Sequence, residues 1–393
     1  MGAFNGTLNS NEIFSALYNM IISQQVFADN IKGVNALVDR ARVDGSLYGD
    51  TKLYYATDVL KSAVWGNDAE ATNLLALHRP AAPSVQAIVL NRWRQISLTV
   101  DDYLSKRAWG DQNSFAQFTS VMLGWIGETK RVYDATTYNA FIGTDETSTG
   151  DQTRSLALTS ILSGLSGEEK ARVEGQSIAR DLADLLVNLT DISRSYNDYG
   201  YLRSYDNGEI KVVWNAAWLN KIAKLDLPTI FHKDVMDKFE DKLPPRYFGT
   251  VITSTNVSTY SDSTPAPGKP IDSDTSVYTP GSGNVNGTLR SLIERDFTVS
   301  GTDYHVFAGD EIPAGAKVGS TAATDTAAYG EFYIENANVM YKVIVKYPPY
   351  MSAFEVGTSF FNPKSLTENH YLTWGHNTLE HLKGYPMITV KAA

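Results

Sequence analysis

The chain has 393 residues, of which 43% are hydrophobic and 20% charged, with 44 acidic against 34 basic side chains and a formal charge of −10. That length and apolar content support a large core, in one elaborated domain or a few subdomains, and exclude a disordered chain. The acidic balance disfavours sticky nucleic-acid binding, and the absence of any cysteine removes disulfides, thiolate metal sites and a thiol nucleophile.

In chain order, the opening "MGAFNGTLNSNEIFSAL" lacks the basic and apolar regions of a secretory signal, and Gly6 stands where a myristoylation start wants Ser or Thr. No apolar run approaches the ~18 residues of a membrane span. Residues 10–28 carry Ile13, Phe14, Leu17, Tyr18, Ile21 and Ile22 at helical spacing, with Asn9 and Glu12 set as a capping pair. Residues 34–50 are polar and irregular.

"TKLYYATDVL" (51–60) reads as a strand, and "SVQAIVLNRWRQISLTV" (84–100) as a long half-buried one. In the latter, Ile96, Leu98 and Val100 alternate with Gln95, Ser97 and Thr99. The whole of 51–100 reads as an extended two-stranded excursion. The strongest helical signal covers about 114–141. Phe115, Phe118, Met122, Trp125, Ile126, Val132 and Tyr133 keep the period, Ser114 and Gln117 fit a capping box, and a nearby backbone or a bend would account for Gly124 and Gly127. At 1.5 Å per residue this helix is roughly 40 Å long.

A second helix is expected over 167–190, capped by Ser166 and Glu169, with Ile178, Leu182, Leu185, Leu186 and Leu189 inward. A buried strand follows at Ile210–Trp214, then a helix from Ala216 capped by Asn215. The stretch 250–290 is rich in Ser, Thr, Pro and Gly and reads as a surface loop or insertion with short strands. "YHVFAGDEIPAGAKVGS" (304–320) reads as a hairpin, 337–347 as a strand with alternating Val339, Tyr341, Val343 and Val345, and "YPMITVKA" as the closing strand.

Motifs that carry chemistry are scarce. There is no P-loop, no G-x-S-x-G elbow and no dinucleotide fingerprint. His370, His376 and His381 stand near Glu380, but their spacings of six and five suit no helical ligand pair, and packing among aromatics is the favoured reading over a metal site. Asp101–Asp102 reads as a turn, and Glu168–Glu169 as acids suiting a helix first turn. "NRWRQ" is the best charge–aromatic cluster: Arg92, Trp93 and Arg94 on one strand read as a protein-contact face rather than a nucleic-acid reader. No catalytic, cofactor-binding or metal-binding residue is assigned and no cofactor is expected.

The element order, and the stretches "SVQAIVLNRWRQISLTVDDYLSKRAW", "FAQFTSVMLGWIGETKRVYDATTYNAF", "VVWNAAWLNKIAKLDLPTIFHKD" and "MSAFEVGTSFFNPKSLTENHYLTWGHNTLEHLKGYPMITVKAA", resemble the major capsid proteins of tailed bacteriophages with the HK97-like fold. The resemblance covers most of the chain and rests on order and texture. It implies an α+β chain with an N-terminal arm (1–50), an extended E-loop hairpin (51–100), and a peripheral domain (101–150 and 331–393) holding a spine helix at about 114–141 and a long-stranded sheet. A mixed α/β axial domain (151–330) would carry the 250–290 stretch as an insertion.

The function implied is a non-enzymatic subunit that self-assembles, through pentamers and hexamers, into the icosahedral head shell of the virion. That shell is assembled in the host cytoplasm and encloses double-stranded DNA without reading its sequence or touching a membrane. A separate scaffold protein, no proteolytic trimming and a portal are expected, with Arg92, Trp93 and Arg94 as assembly contacts. Two alternatives stand beside it: an encapsulin-like cellular shell, distinguished by enclosed cargo enzymes, and an unrelated enzyme or carbohydrate-binding protein, distinguished by a pocket with convergent polar groups.

Overall fold

The computed structural model describes residues 37–44, 51–62, 79–101, 112–145, 152–222, 241–257, 276–278, 288–321 and 326–393. The helix expected over 10–28, with its Asn9–Glu12 cap, lies outside them.

The helices are α1 (Val38–Ala41), α2 (Gln112–Gly143), α3 (Leu158–Ile161), α4 (Gly167–Thr190) and α5 (Ala216–Ile222). The strands are β1 (Arg42–Asp44), β2 (Thr51–Ala56), β3 (Ser84–Asp101), β4 (Thr144–Asp145), β5 (Thr153–Leu156), β6 (Lys211–Asn215), β7 (Asp241–Leu243), β8 (Gly249–Val251), β9 (Ser276–Val277) and β10 (Leu289–Ser291), then β11 (Arg295–Val299), β12 (Thr302–Val306), β13 (Lys317–Gly319), β14 (Thr326–Ala328), β15 (Phe332–Glu335), β16 (Val339–Ile344), β17 (Tyr350–Asn362), β18 (Thr367–Asn377) and β19 (Met387–Ala392). This is a mixed α/β chain with few helices and many strands.

Two compact units form. The first comprises residues 1–50, 89–136 and 350–378, the second 51–88, 137–349 and 379–393. The first is built on a sheet in the order β1-β17-β18-β3. β17 and β18 form a long antiparallel hairpin, and β18 pairs with β3 from Thr367↔Asp101 to Asn377↔Leu90. Leu90–Asp101 is therefore paired along its length with β18 in a sheet, where the sequence reads as an excursion. The alternation of Ile96, Leu98 and Val100 against exposed Gln95, Ser97 and Thr99 is the consequence. A bulge sets Asn91 outside the register between His376↔Arg92 and Asn377↔Leu90, and the Asn91 side chain accepts from the Thr378 backbone N–H at 2.8 Å and from its hydroxyl at 2.7 Å.

The second unit has a five-stranded sheet, β5-β19-β16-β6-β7. Helix α4 lays Ile178, Leu182, Leu185, Leu186 and Leu189 on Val212, Trp214, Tyr341, Val343, Ile388 and Val390. These are the helical-period positions legible in the sequence, because one apolar stripe of α4 has one sheet face to cover. Every residue of β16 is buried, as befits a strand covered on both faces. A smaller β region packs around Phe297, Phe332, Ile252, Leu289 and Val318.

Several local expectations are corrected. Helix α2 begins at Gln112, so Ser114 lies within it rather than capping it. A side chain at Gly124 or Gly127 would meet nothing within 4 Å, so no close backbone among the described residues explains them, whereas one at Gly143 would come 2.2 Å from the Tyr247 carbonyl, and glycine lets the helix end pass there. Ser166 is the N-cap of α4 but its hydroxyl makes no capping bond. Asn215 does cap α5, accepting from the Ala217 N–H at 3.1 Å.

The 304–320 stretch is no hairpin: β12 pairs back on β11, and β13 pairs with β9 and β14. Within 250–290, residues 258–275 and 279–287 lie outside the described residues. The flanks are core rather than surface loop, since Ile252, Tyr278 and Leu289 are all buried. Polar composition misled there because a few apolar residues at period two suffice to anchor short strands.

Candidate functional site

Two polar clusters organise the chain, one in each unit. In the first unit a carboxylate, Asp134 of α2, is only 1% exposed. It accepts from Tyr350 OH at 2.6 Å, Arg42 Nη2 at 3.2 Å and Lys130 Nζ at 3.3 Å. A buried charge is tolerated only when paired and hydrogen-bonded in this way. Arg42 comes from β1, whose three residues run parallel to Tyr350–Ser352. One carboxylate thus fixes the N-terminal strand, the long helix and the start of β17 together.

Beside it, His376 is buried. Its Nδ1 lies 2.8 Å from the Asn377 carbonyl and its Nε2 2.6 Å from Tyr133 OH. A carbonyl only accepts, so Nδ1 carries the hydrogen and Nε2 accepts from the tyrosine. The ring stacks on Tyr350 at 5.3 Å between centroids, and Tyr133 meets Trp374 edge-on at 5.5 Å. Burial, reinforced by Arg92 and Arg94 and opposed by the Asn377 carbonyl and Asp134, lowers the His376 pKa to about 4. Burial and Asp134 push the Tyr350 hydroxyl well above its ordinary value.

The remaining histidines have other neighbours. His370 sits on β18 between Ser359 and Leu98, 3.9 Å from Glu368, and the Nε2 of His381 lies 2.6 Å from Asp198. Among the described residues, no group of three or more histidine or carboxylate side chains is arranged to hold a metal ion. Nor, among those residues, is any helix long and apolar enough to cross a membrane.

Arg92, Trp93 and Arg94 lie on β3 opposite His376, Gly375 and Trp374. Alternation sends Trp93 to the face opposite its neighbours. Its ring is 54% exposed and covers Gly375, where a Cβ would meet it at 2.6 Å. The Arg94 guanidinium stands 4.9 Å from the centre of the Tyr133 ring. Arg94 therefore belongs to the histidine cluster of its own chain, while Arg92 and Trp93 remain on the surface.

In the second unit the segment 191–205 anchors the bases of β2 and β3. Asp58 accepts from Arg194 Nη1 at 2.7 Å, the Val59 N–H at 2.9 Å and the Leu202 N–H at 3.1 Å. The Arg194 hydrogen bond comes first among the causes that hold the Asp58 carboxyl down to about 2. Arg203 donates to the Thr57 carbonyl at 2.6 Å, and Ser84 shares a 2.6 Å hydrogen bond with Tyr201. The Gln86 amide donates to the His381 carbonyl at 2.9 Å and accepts from the Lys383 N–H at 3.0 Å, as a strand partner would.

Also in this unit, Lys342 of β16 is fully buried and donates to the Thr144 carbonyl just past the end of α2. Burial lowers its pKa to about 8, and nearby Asp145 opposes that shift. None of these clusters announces itself in sequence, since each draws on residues far apart in the chain. Lys342 gave no local sign, because it falls between Tyr341 and Val343 where the alternation expects a polar residue.

No family profile and no curated protein matches the sequence. Solved structures do match in shape. A chain of the capsid structure of Staphylococcus phage Andhra aligns with a TM-score of 0.59 at 10% identity, covering 93% of this chain and 86% of that one. A chain from the structure of the head fiber and inner core protein gp22 of native bacteriophage P68 aligns with a TM-score of 0.51 at 10% identity, covering 88% and 83%. The likeness is one of fold, and it extends over nearly the whole chain.

Proposed function

We propose that this chain is a major capsid protein, a structural subunit that self-assembles into the icosahedral head shell of a tailed bacteriophage and resides in the virion. The observation that carries this is the shared fold across 93% of the chain with a phage capsid structure. The two clusters described above support a structural role. Both use their polar groups to tie segments together, and the hydroxyl that meets a histidine, Tyr133 beside His376, is buried with it.

In this reading the chain has the HK97-like plan. Residues 1–50 are the N-terminal arm and 51–100 the E-loop, based on the clamp at Asp58, Arg194 and Arg203. The 32-residue α2 is the spine helix. The peripheral domain, placed from sequence at 101–150 and 331–393, is narrowed to 89–136 and 350–378, and the axial domain, placed at 151–330, is widened to 137–349 and 379–393, because β16 and β19 share a sheet with β5, β6 and β7. Arg92 and Trp93 contact a neighbouring subunit, with Arg94 supporting their strand from within. Subunits form pentamers and hexamers with a separate scaffold and a portal, and the acidic chain lines a shell that encloses double-stranded DNA without binding its sequence.

Electron microscopy of the purified protein, expressed alone and with its scaffold, tests this. Closed shells of uniform diameter are expected. A species that stays monomeric or dimeric under every condition, co-expression included, overturns it.

A further inference from the structure

The outer side of β17 is open over most of its length among the described residues. β1 covers it only at Tyr350–Ser352. From there to Asn362, no strand among the described residues lies on that side, since β18 takes the other. The open stretch "VGTSFFN", Val356–Asn362, has no charge and no proline, and Gly357 to Phe361 are exposed on both faces. Phe360 is 64% exposed and Phe361 47%. A flat, uncharged, β-prone edge offers a row of unpaired backbone groups to an incoming strand, and edges kept solitary are normally blunted by charge or proline.

Gly357 points to what that strand is. Glycine weakens a strand interior, and often marks a place where another group approaches closely. Yet a Cβ at Gly357 would meet nothing within 4 Å among the described residues of its own chain. The same sheet shows what a strand glycine can seat: Gly375 lies directly opposite Trp93, whose ring occupies the place of the missing side chain. At Gly357 the seat is present and its aromatic is missing.

We infer that β17 pairs antiparallel with β17 of a second copy across a two-fold axis at Ser359. In that register Ser359 faces its own counterpart, Thr358 faces Phe360, and Gly357 faces Phe361 of the other copy. Each of the two Gly357 seats receives a phenylalanine, which repeats the Trp93–Gly375 arrangement between chains. The uncharged segment meets itself without like-charge repulsion. Just beyond it, Glu355 of one copy comes beside the Pro363–Lys364 turn of the other, so acid approaches base at both ends. The contact is isologous, with one patch serving both partners. Its place in a shell rests on the function proposed above, whereas the pairing itself does not.

The chain has no cysteine, so single cysteines report the register directly. Directly opposed residues of an antiparallel pair stand about 4.5–5.5 Å apart at Cα, within disulfide reach. Ser359→Cys in the full-length protein, oxidised at assembly concentration, should shift the monomer band to a covalent dimer. Val356→Cys, whose partner is Asn362, and Ser97→Cys on β3 should stay monomeric, and Val356→Cys combined with Asn362→Cys should cross-link. Circular dichroism of each variant establishes that it is folded. Equal cross-linking at all positions, or none at Ser359 while shells form, overturns the pairing and leaves the shell reading intact. Ser359-linked dimers from a protein that never forms shells would do the reverse.

Discussion

Tyr133 on α2 donates its hydroxyl hydrogen to Nε2 of His376 on β18 across 2.6 Å. The opposite ring nitrogen is engaged by the Asn377 carbonyl, so the imidazole is held in one neutral tautomer. A second proton would place a charge in a buried site and would face Arg92 and Arg94.

That pair predicts acid sensitivity. The native state holds His376 at about 4 against 6.5 for an ordinary histidine. Between those values the unfolded chain binds more protons, so stability is intact above about pH 6.5 and is lost as pH falls toward 4. The loss attributable to this group is roughly 3 kcal/mol. Urea unfolding from pH 7.5 to 4 should show it, and His376→Phe should remove that part of the slope. An unchanged slope in the variant refutes the assignment.

Asp134 is the charge on which Arg42, Lys130 and Tyr350 converge. Asp134→Ala leaves the buried Lys130 with only the exposed Glu355, 3.3 Å away, and should cost about 3 kcal/mol, the low end for a broken buried pair. Tyr350→Phe removes one charge-assisted bond and should cost about 1.5–3 kcal/mol. Equilibrium denaturation measures both. Near-equal, small effects would mean that the cluster is solvated in solution.

Lys342 makes a prediction of the same sign at alkaline pH. Its native value of about 8 lies below the ordinary 10.5, so between these the unfolded chain binds more protons and stability rises with pH. The penalty of the buried charge, roughly 3 kcal/mol, is full below pH 8 and relieved above 10.5. Lys342→Met should abolish that rise, as read from thermal unfolding between pH 7 and 10.5. A variant that keeps the rise places the titration elsewhere.

Arg94 and Trp93 should separate fold from assembly. Arg94 sits over Tyr133 of its own chain, so Arg94→Glu is expected to lower the melting temperature. Trp93 is half exposed, so Trp93→Ala should leave the melt within a few degrees and yet reduce shell yield. Circular dichroism melts beside sedimentation of both variants decide it. Normal shells from Trp93→Ala would remove this residue from the interface.

Tyr278, in the stretch whose composition reads as loop, is buried, and its hydroxyl donates to Glu311 at 3.1 Å. Tyr278→Ala should cost about 3–5 kcal/mol, as for a large core aromatic. A change under 1 kcal/mol in denaturant titration would return the stretch to the surface.

What the sequence determined by itself is what local periodicity encodes. Helix α4 was legible to its end residues because five leucine and isoleucine positions share one stripe, and the alternation of Ile96, Leu98 and Val100 marked β3. Element order and texture carried the resemblance to phage capsid chains, and the shared fold bears it out. Only the tertiary structure decided that Leu90–Asp101 pairs with β18, that Arg92 and Trp93 point to opposite faces, and that Asp134 gathers cations from positions 42 and 130. The physical reason is the range of the interaction. Periodicity reports which face of a segment is buried. The identity of the neighbour, and with it strand register, the pairing of buried charges and the proton affinity of His376 and Lys342, is set by contacts that close only when distant segments meet.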